Sequence, residues 1–218
     1  MNLKAIWFDF GGVLSPPIDD LFNEYHAKTG VSRIQMEAAM AEVARPMGVH
    51  PLAPIELAML TQREWGMRMR QELTTLYPGI DLQRCDFDNH GDQWFKDHSA
   101  NAGMIDLMKE AKELGFKVGI LTNNVVEWEK PWRTMLDVDH LVDDIVDSCK
   151  VGARKPQKQI FELSAHRIGC SPGECLLIDD LEENCDAARA YGWRAIVFRD
   201  NVQTEAELRD LMGSATFA

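Results

Sequence analysis

Nowhere in the 218 residues does an apolar run reach the roughly 20 residues that a membrane-spanning helix requires. The first ten residues also lack the basic segment and long apolar segment of a secretory signal peptide. Charged residues make up 27% and apolar residues 45%, a composition that disfavours a disordered chain. We therefore expect a globular cytoplasmic protein with no membrane partner.

Cysteine pairs and basic residues are also scarce. The five cysteines are odd in number and include no CxxC pair, which disfavours a disulfide framework or a zinc site and favours free thiols. Acidic residues outnumber basic ones by 35 to 23, which gives a net charge of −12. Since proteins that bind duplex nucleic acid neutralise its phosphates with Lys and Arg, no nucleic-acid partner is expected. A small phosphorylated ligand remains compatible with this charge, because a bound metal ion reverses the local field.

Five apolar segments have the pattern of buried β-strands, and they lie at residues 4–9, 117–122, 144–148, 175–178 and 194–198. Helical patterns, each followed by a glycine, lie at 103–114, 157–168 and 182–191, and a last surface helix is expected over 203–212. This order predicts an α/β fold with a Rossmann-like, doubly wound parallel sheet. Ligands of such sheets gather beyond the carboxyl ends of the strands.

Residues 15–100 interrupt the alternation of predicted strands and helices. They are mostly helical in pattern, for example from Ile55 to Leu73, and contain no strong strand. Because a single crossover rarely needs about 85 residues, we expect a helical cap domain at 15–100, inserted into a core domain of 1–14 and 101–218. The alternative is a set of ordinary helices packed on the sheet.

The first two strands end in candidate catalytic and anion-binding residues. The first strand ends in Asp9, followed by Gly11-Gly12. A carboxylate there is costly unless a cation or amides receive it, and the glycines let the backbone approach a ligand closely. Asp9 is thus a candidate nucleophile, with a helix cap as the alternative. Thr122 and Asn123 end the second strand, where a hydroxyl and an amide either hold phosphate oxygens or cap a helix.

Further along the chain, Lys155 and a pair of acidic residues suit an anionic reaction centre. Lys155 would stabilise a developing anion, and Pro156 would start a helix at its first turn. Asp179 and Asp180 stand together at a strand end and offer the oxygen ligands that Mg²⁺ prefers. Asn184 would face the same site one helical turn later.

These four motifs, in this order, resemble the haloacid dehalogenase-like hydrolase superfamily over nearly the whole chain. The sequence is most similar to the branch with a helical cap after the first strand, which includes the amino-terminal phosphatase domain of soluble epoxide hydrolase. The resemblance implies a Mg²⁺-dependent phosphohydrolase that acts on a small phosphorylated metabolite through an aspartyl-phosphate, as a monomer or homodimer. It implies Asp9 as nucleophile, Lys155 as catalytic cation, Thr122, Asn123 and Asn184 as substrate contacts, and Asp9, the Gly11 carbonyl, Asp179 and Asp180 as metal ligands, with Asp180 the preferred direct ligand.

One position departs from that pattern. Ordinary phosphatases of the family carry a second aspartate two residues after the nucleophile, which protonates the leaving group and then activates water, but this sequence has Gly11. One explanation is that the cap supplies the acid, and the candidates are His26, His50, His90, His98 and Glu64. Otherwise the substrate carries a good leaving group, such as an acyl phosphate, or the protein binds a phosphorylated ligand with little turnover. A 2-haloacid dehalogenase is a further alternative, because halide leaves without a proton.

Overall fold

The computed structural model describes residues 3–216, and its sheet consists of β1 (Ala5–Phe8), β2 (Lys117–Thr122), β3 (Asp144–Asp147), β4 (Cys175–Asp179) and β5 (Arg194–Val197). The helices between β1 and β2 are α1 (Ile18–Thr29), α2 (Arg33–Ala44), α3 (Ala53–Glu56), α4 (Gln62–Leu76) and α5 (His90–Phe95). Those that follow are α6 (Ala102–Glu113), α7 (Glu129–Leu136), α8 (Ser148–Val151), α9 (Lys158–Ile168), α10 (Glu182–Ala190) and α11 (Asn201–Thr216). Within the described residues, none of these helices combines the length and apolar composition needed to cross a bilayer.

The five strands form one parallel sheet in the order β3-β2-β1-β4-β5, which confirms the Rossmann-like α/β fold. In the central strand, Phe8 pairs with both Ile120 of β2 and Ile178 of β4. The residues that follow these three positions therefore emerge together at one edge of the sheet. This register places Asp9 beside the ends of β2 and β4.

Both faces of the sheet are buried, which explains why the strands are apolar without alternation. Ile6 and Phe8 of β1 face a cluster that includes α6, whereas Ala5 and Trp7 face a cluster that includes α9 and α10. Gly119 of β2 leaves space for Trp7, since a Cβ there would lie 2.4 Å from the indole ring. Packing against both faces therefore fixes the positions of the strand ends.

The helices α1–α5 pack around a cluster of their own, to which the loop after β2 contributes Val125. The helical pattern from Ile55 to Leu73 is divided here between α3 and α4, with Ala58 in a positive-φ turn between them. A capping box between Thr61 and Glu64 begins α4. The stretch is thus mostly helical, and the apolar pattern continues across the turn that separates the two helices.

Two helix boundaries differ from expectation. Pro156 does not begin a helix; α9 starts two residues later, after a cis Lys155–Pro156 peptide bond. The last helix extends to Thr216, beyond the expected end at Met212. The five cysteines are free thiols, as expected.

His90 is the first residue of α5 and lies among aromatic side chains. Its ring is 1% exposed, stacks on Phe87 with 6.1 Å between ring centroids, and lies 5.2 Å from the rings of Tyr25 and Trp65. Burial disfavours the imidazolium and lowers the pKa of His90 to about 4. The side chain is therefore neutral in the folded protein at neutral pH.

A His90→Phe variant should lose part of the acid sensitivity of folding. Because the unfolded chain binds this proton near pH 6.5 and the folded chain only near pH 4, His90 stabilises the fold fully above 6.5 and progressively less as the pH falls towards 4. The difference amounts to about 3 kcal/mol at most. Urea unfolding at several pH values, with His26→Gln as an exposed control, measures it. An unchanged pH slope in His90→Phe would refute the assignment.

Candidate active site

Asp9 lies immediately beyond β1, where the strand gives way to a tight turn over Phe10–Leu14. Its amide donates to the carbonyl of Ile178 at 2.8 Å, which extends the pairing between β1 and β4 by one step. Its Oδ1 atom accepts a hydrogen bond from the Phe10 amide at 2.6 Å. These two hydrogen bonds tie Asp9 to the backbone of β4 and of the turn, and the residue is 7% exposed.

Lys155 bridges Asp9 and Asp179 in the interior of the site. Its Nζ lies 2.8 Å from Oδ1 of Asp9 and 2.6 Å from Oδ2 of Asp179, and the residue is 1% exposed. Burial alone would lower the pKa of Lys155, but the two carboxylates outweigh burial and raise it. The side chain is consequently a fixed cation between two strand ends.

Three carboxylates converge at this point. Oxygen atoms of Asp9, Asp179 and Asp180 all lie within 4.8 Å of one another. Burial and the neighbouring carboxylates raise the pKa of Asp9 well above its usual range, and burial together with Asp179 raises that of Asp180 to about 6. Lys155 compensates only part of this negative charge. The cluster therefore fits a divalent cation with oxygen ligands, such as Mg²⁺.

Gly12 makes this cluster possible. Its φ of +73° disfavours any residue with a side chain, and a Cβ there would lie 2.5 Å from Oδ2 of Asp180. Gly11 differs from Gly12, because its φ is −66° and a Cβ would meet Cδ1 of Ile18 at 3.5 Å, an ordinary contact. Geometry thus requires glycine at position 12 but leaves room for a side chain at position 11.

Asp179 and Asp180 differ in what they contact. Besides Lys155, Asp179 accepts hydrogen bonds at Oδ1 from the Leu181 amide at 3.0 Å and from Nδ2 of Asn184 at 2.9 Å. Both of its carboxylate oxygens are therefore engaged, and the side chain is fully buried. Asp180 is half-buried, which favours it as the more accessible ligand for a cation.

The three predicted substrate contacts reach different positions. Thr122 is buried at the end of β2, and Asn184 packs on Asp179 from the first turn of α10. Asn123 instead uses both ends of its amide on the backbone of Lys155: Oδ1 accepts from the Lys155 amide at 2.8 Å, and Nδ2 donates to the Lys155 carbonyl at 3.0 Å. Asn123 therefore holds the segment that carries the lysine.

The five candidate proton donors make their contacts in other parts of the structure than the Asp9 cluster. Glu64 caps α4, burial keeps His90 neutral with a lowered pKa, and His98 lies 3.5 Å from Glu24. His50 accepts a hydrogen bond from the Leu52 amide, and His26 is exposed on α1. None of these contacts brings one of the five side chains beside Gly11.

Sequence reasoning missed an ion pair next to Lys155. Nε of Arg154 lies 2.6 Å from Oε2 of Glu56, and both residues are less than 10% exposed. Glu56 belongs to α3 and is 98 residues from Arg154 along the chain. No periodicity or local motif links positions that far apart.

Comparison with known proteins gives consistent matches. A family model described as haloacid dehalogenase-like hydrolase matches residues 3–192. A protein named Phosphatase MT3486 from Mycobacterium tuberculosis is 28% identical over 97% of this chain and 94% of its own length. Bifunctional epoxide hydrolase 2 from Sus scrofa is 26% identical over 97% of this chain, which spans only 38% of that longer protein. The solved haloacid dehalogenase-family enzyme BT-2542 from Bacteroides thetaiotaomicron, crystallised with magnesium and inorganic phosphate, covers 90% of this chain and 94% of its own at 18% identity and a TM-score of 0.59, a likeness of fold.

Proposed function

The chain belongs to the haloacid dehalogenase-like hydrolases, and we propose that it is a Mg²⁺-dependent phosphohydrolase that acts on a small phosphorylated metabolite. The observation that carries this proposal is the cluster of Asp9, Asp179 and Asp180 around a single lysine. A relative named as a phosphatase and matched over nearly its whole length supports it. The domain division is part of the proposal: residues 15–100 form the cap, and 1–14 with 101–218 form the core.

In the proposed reaction the Asp9 carboxylate attacks phosphorus, a P–O bond forms, and the bond to the leaving group breaks. Lys155 stabilises the equatorial oxygens and favours the ionised form of Asp9 against burial, while Thr122 and Asn184 orient the phosphoryl group. Water then hydrolyses the aspartyl-phosphate and regenerates Asp9. Asp9, the Gly11 carbonyl, Asp179 and Asp180 would hold Mg²⁺, with Asp180 as the main direct ligand, and the bound ion would supply positive charge for the phosphoryl oxygens.

Gly11 narrows the substrate class. Gly11 has no side chain, and the atom nearest to a Cβ at this position is Cδ1 of Ile18. Position 11 therefore supplies no proton donor for the leaving group. General acid–base assistance is worth roughly 10²–10⁴-fold, so alkoxide leaving groups suffer most from its absence. We propose that the substrate carries a leaving group that departs as a stable anion, as acyl phosphates do.

The glycine also favours a second candidate function, 2-haloacid dehalogenation, because halide leaves without protonation. A metal-free reaction, however, would leave two buried carboxylates and one half-buried carboxylate opposite one lysine, and their negative charge would repel a carboxylate substrate. A protein that binds a phosphorylated ligand with little turnover is the other alternative.

The test is release of phosphate from acetyl phosphate, p-nitrophenyl phosphate and several sugar phosphates, in Mg²⁺ and in EDTA, with Asp9→Asn as background. We expect turnover in Mg²⁺ only, with the first two substrates preferred. Turnover that is unchanged in EDTA would refute the metal-dependent reaction. If no phosphate is released, chloride release from 2-chloropropionate and equilibrium binding of phosphate decide between the two alternatives.

A further inference from the structure

The segment that carries Lys155 is tied to the helices between β1 and β2. Glu56, the last residue of α3, forms an ion pair with Arg154 at 2.6 Å, and the exposed fractions of the two residues are 7% and 9%. Ion pairs this well buried cannot exchange their partner for water, so loss of one member leaves an uncompensated charge. The ion pair of Arg209 with Glu110, by contrast, lies at the surface.

Glu56 makes a second link through its backbone. The Glu56 carbonyl accepts a hydrogen bond from Oγ of Ser148 at 2.7 Å. The Ser148 hydroxyl oxygen in turn accepts a hydrogen bond from the Asn124 amide at 3.1 Å. One residue of α3 thus contacts the loop after α8 with its side chain, through Arg154, and the start of α8 with its backbone. Through Ser148 it also reaches the loop after β2.

Two adjacent residues of each loop complete the connection. Asn124 belongs to the Ser148 link, while its neighbour Asn123 holds the backbone of Lys155 at both its amide and its carbonyl. Arg154, next to Lys155, is held by Glu56. The lysine backbone is therefore fixed from one side by the loop after β2 and from the other by α3.

We infer that Glu56 and Arg154 are positioning residues for Lys155, and that docking of α3 on the core and placement of the lysine are one cooperative event. If α3 moves away, Arg154 is a buried cation without a partner and must reach water. That movement pulls on Lys155 and breaks the two hydrogen bonds to Asn123. The lysine then spans Asp9 and Asp179 only while the helical segment is docked.

Hydrogen exchange tests this coupling without any substrate. In a Glu56→Gln variant we expect the Lys155 amide, bonded to Asn123, and the Leu57 amide, bonded within α3, to exchange faster by a similar factor of at least about tenfold. Glu110→Gln, which removes a surface ion pair, serves as the matched control and should change neither rate. Faster exchange at Leu57 with an unchanged rate at Lys155 would overturn the inference, as would no change at either.

A Glu56→Gln/Arg154→Gln double variant removes the stranded charge. If the two residues act as one unit, amide exchange in the double variant should be no faster than in Glu56→Gln alone. An additive increase in the exchange rates would contradict this interpretation.

A kinetic experiment rests on the proposed function. With acetyl phosphate, Glu56→Gln should lower kcat by about tenfold and leave KM nearly unchanged, because positioning is lost rather than binding. A change confined to KM contradicts the positioning role. A wild type without turnover would count against the proposed function alone, since the exchange measurements stand independently.

Discussion

Replacing Asp9 with asparagine should lower phosphate release by at least about 10³-fold, because a carboxamide cannot form the aspartyl-phosphate. The variant keeps the size of the side chain and an oxygen for the Phe10 amide. Loss of activity would therefore report the missing nucleophile rather than a rearranged turn. Initial rates with acetyl phosphate in Mg²⁺ measure the effect, and retention of full turnover would show that Asp9 is not the nucleophile.

The same variant should fold at least as stably as wild type in EDTA. Burial and the charges of Asp179 and Asp180 raise the pKa of Asp9, so its ionised form opposes folding, and the neutral amide relieves that repulsion. Asp147→Asn is a matched control, since Asp147 is also buried at a strand end and burial raises its pKa to about 6. Asp147 lies outside the acidic cluster, so the Asp147→Asn variant should keep the turnover of the wild type.

Replacing Gly11 with aspartate should extend activity to substrates with poor leaving groups. The backbone at position 11 suits any residue, and the nearest neighbour of a Cβ there is Ile18 at 3.5 Å. The neighbouring carboxylates should raise the pKa of the new side chain, which keeps it protonated for donation. Sugar phosphate hydrolysis should rise by about 10²–10⁴-fold, while that of acetyl phosphate should change little.

Gly11→Asn is the matched control for this gain, because it has the same shape and donates no proton. Equal rates for Gly11→Asn and Gly11→Asp would show that general acid catalysis is not the cause. Gly12→Asp tests the geometry: with φ at +73° and Asp180 only 2.5 Å from its Cβ, it should disrupt the site. A ratio of sugar phosphate to acetyl phosphate turnover that stays at the wild-type value in Gly11→Asp would contradict the proposed substrate class.

The sheet could be predicted from the sequence because its strands are buried on both faces. Each strand then appears as a short apolar run, and the polar residue at its end marks the edge where ligands gather. Asp9, Asp179 and Asp180 were found in this way, and the structure brings them together with Lys155, which lies in the loop after α8. Their roles in the reaction stay predictions.

The parts that could not be predicted depend on contacts between distant segments. Asn123 has the residue type of an anion ligand, and only the folded chain shows that its amide holds the backbone of Lys155. The pairing of Glu56 with Arg154 leaves no local trace either. The division between α3 and α4 was hidden because the apolar pattern runs across the turn at Ala58.

The central position of β1 has a consequence for how the protein acquires its site during folding. Phe8 pairs with Ile178, so the strand that precedes Asp9 lacks one of its two neighbours until the residues of β4 have been synthesised. The helices α1–α5 make mostly local contacts and can form early, whereas parallel pairing between distant strands is slow. A nascent chain that ends before β4 would expose one edge of β1 and lack Asp179 and Asp180, so catalytic competence should be among the last properties to appear.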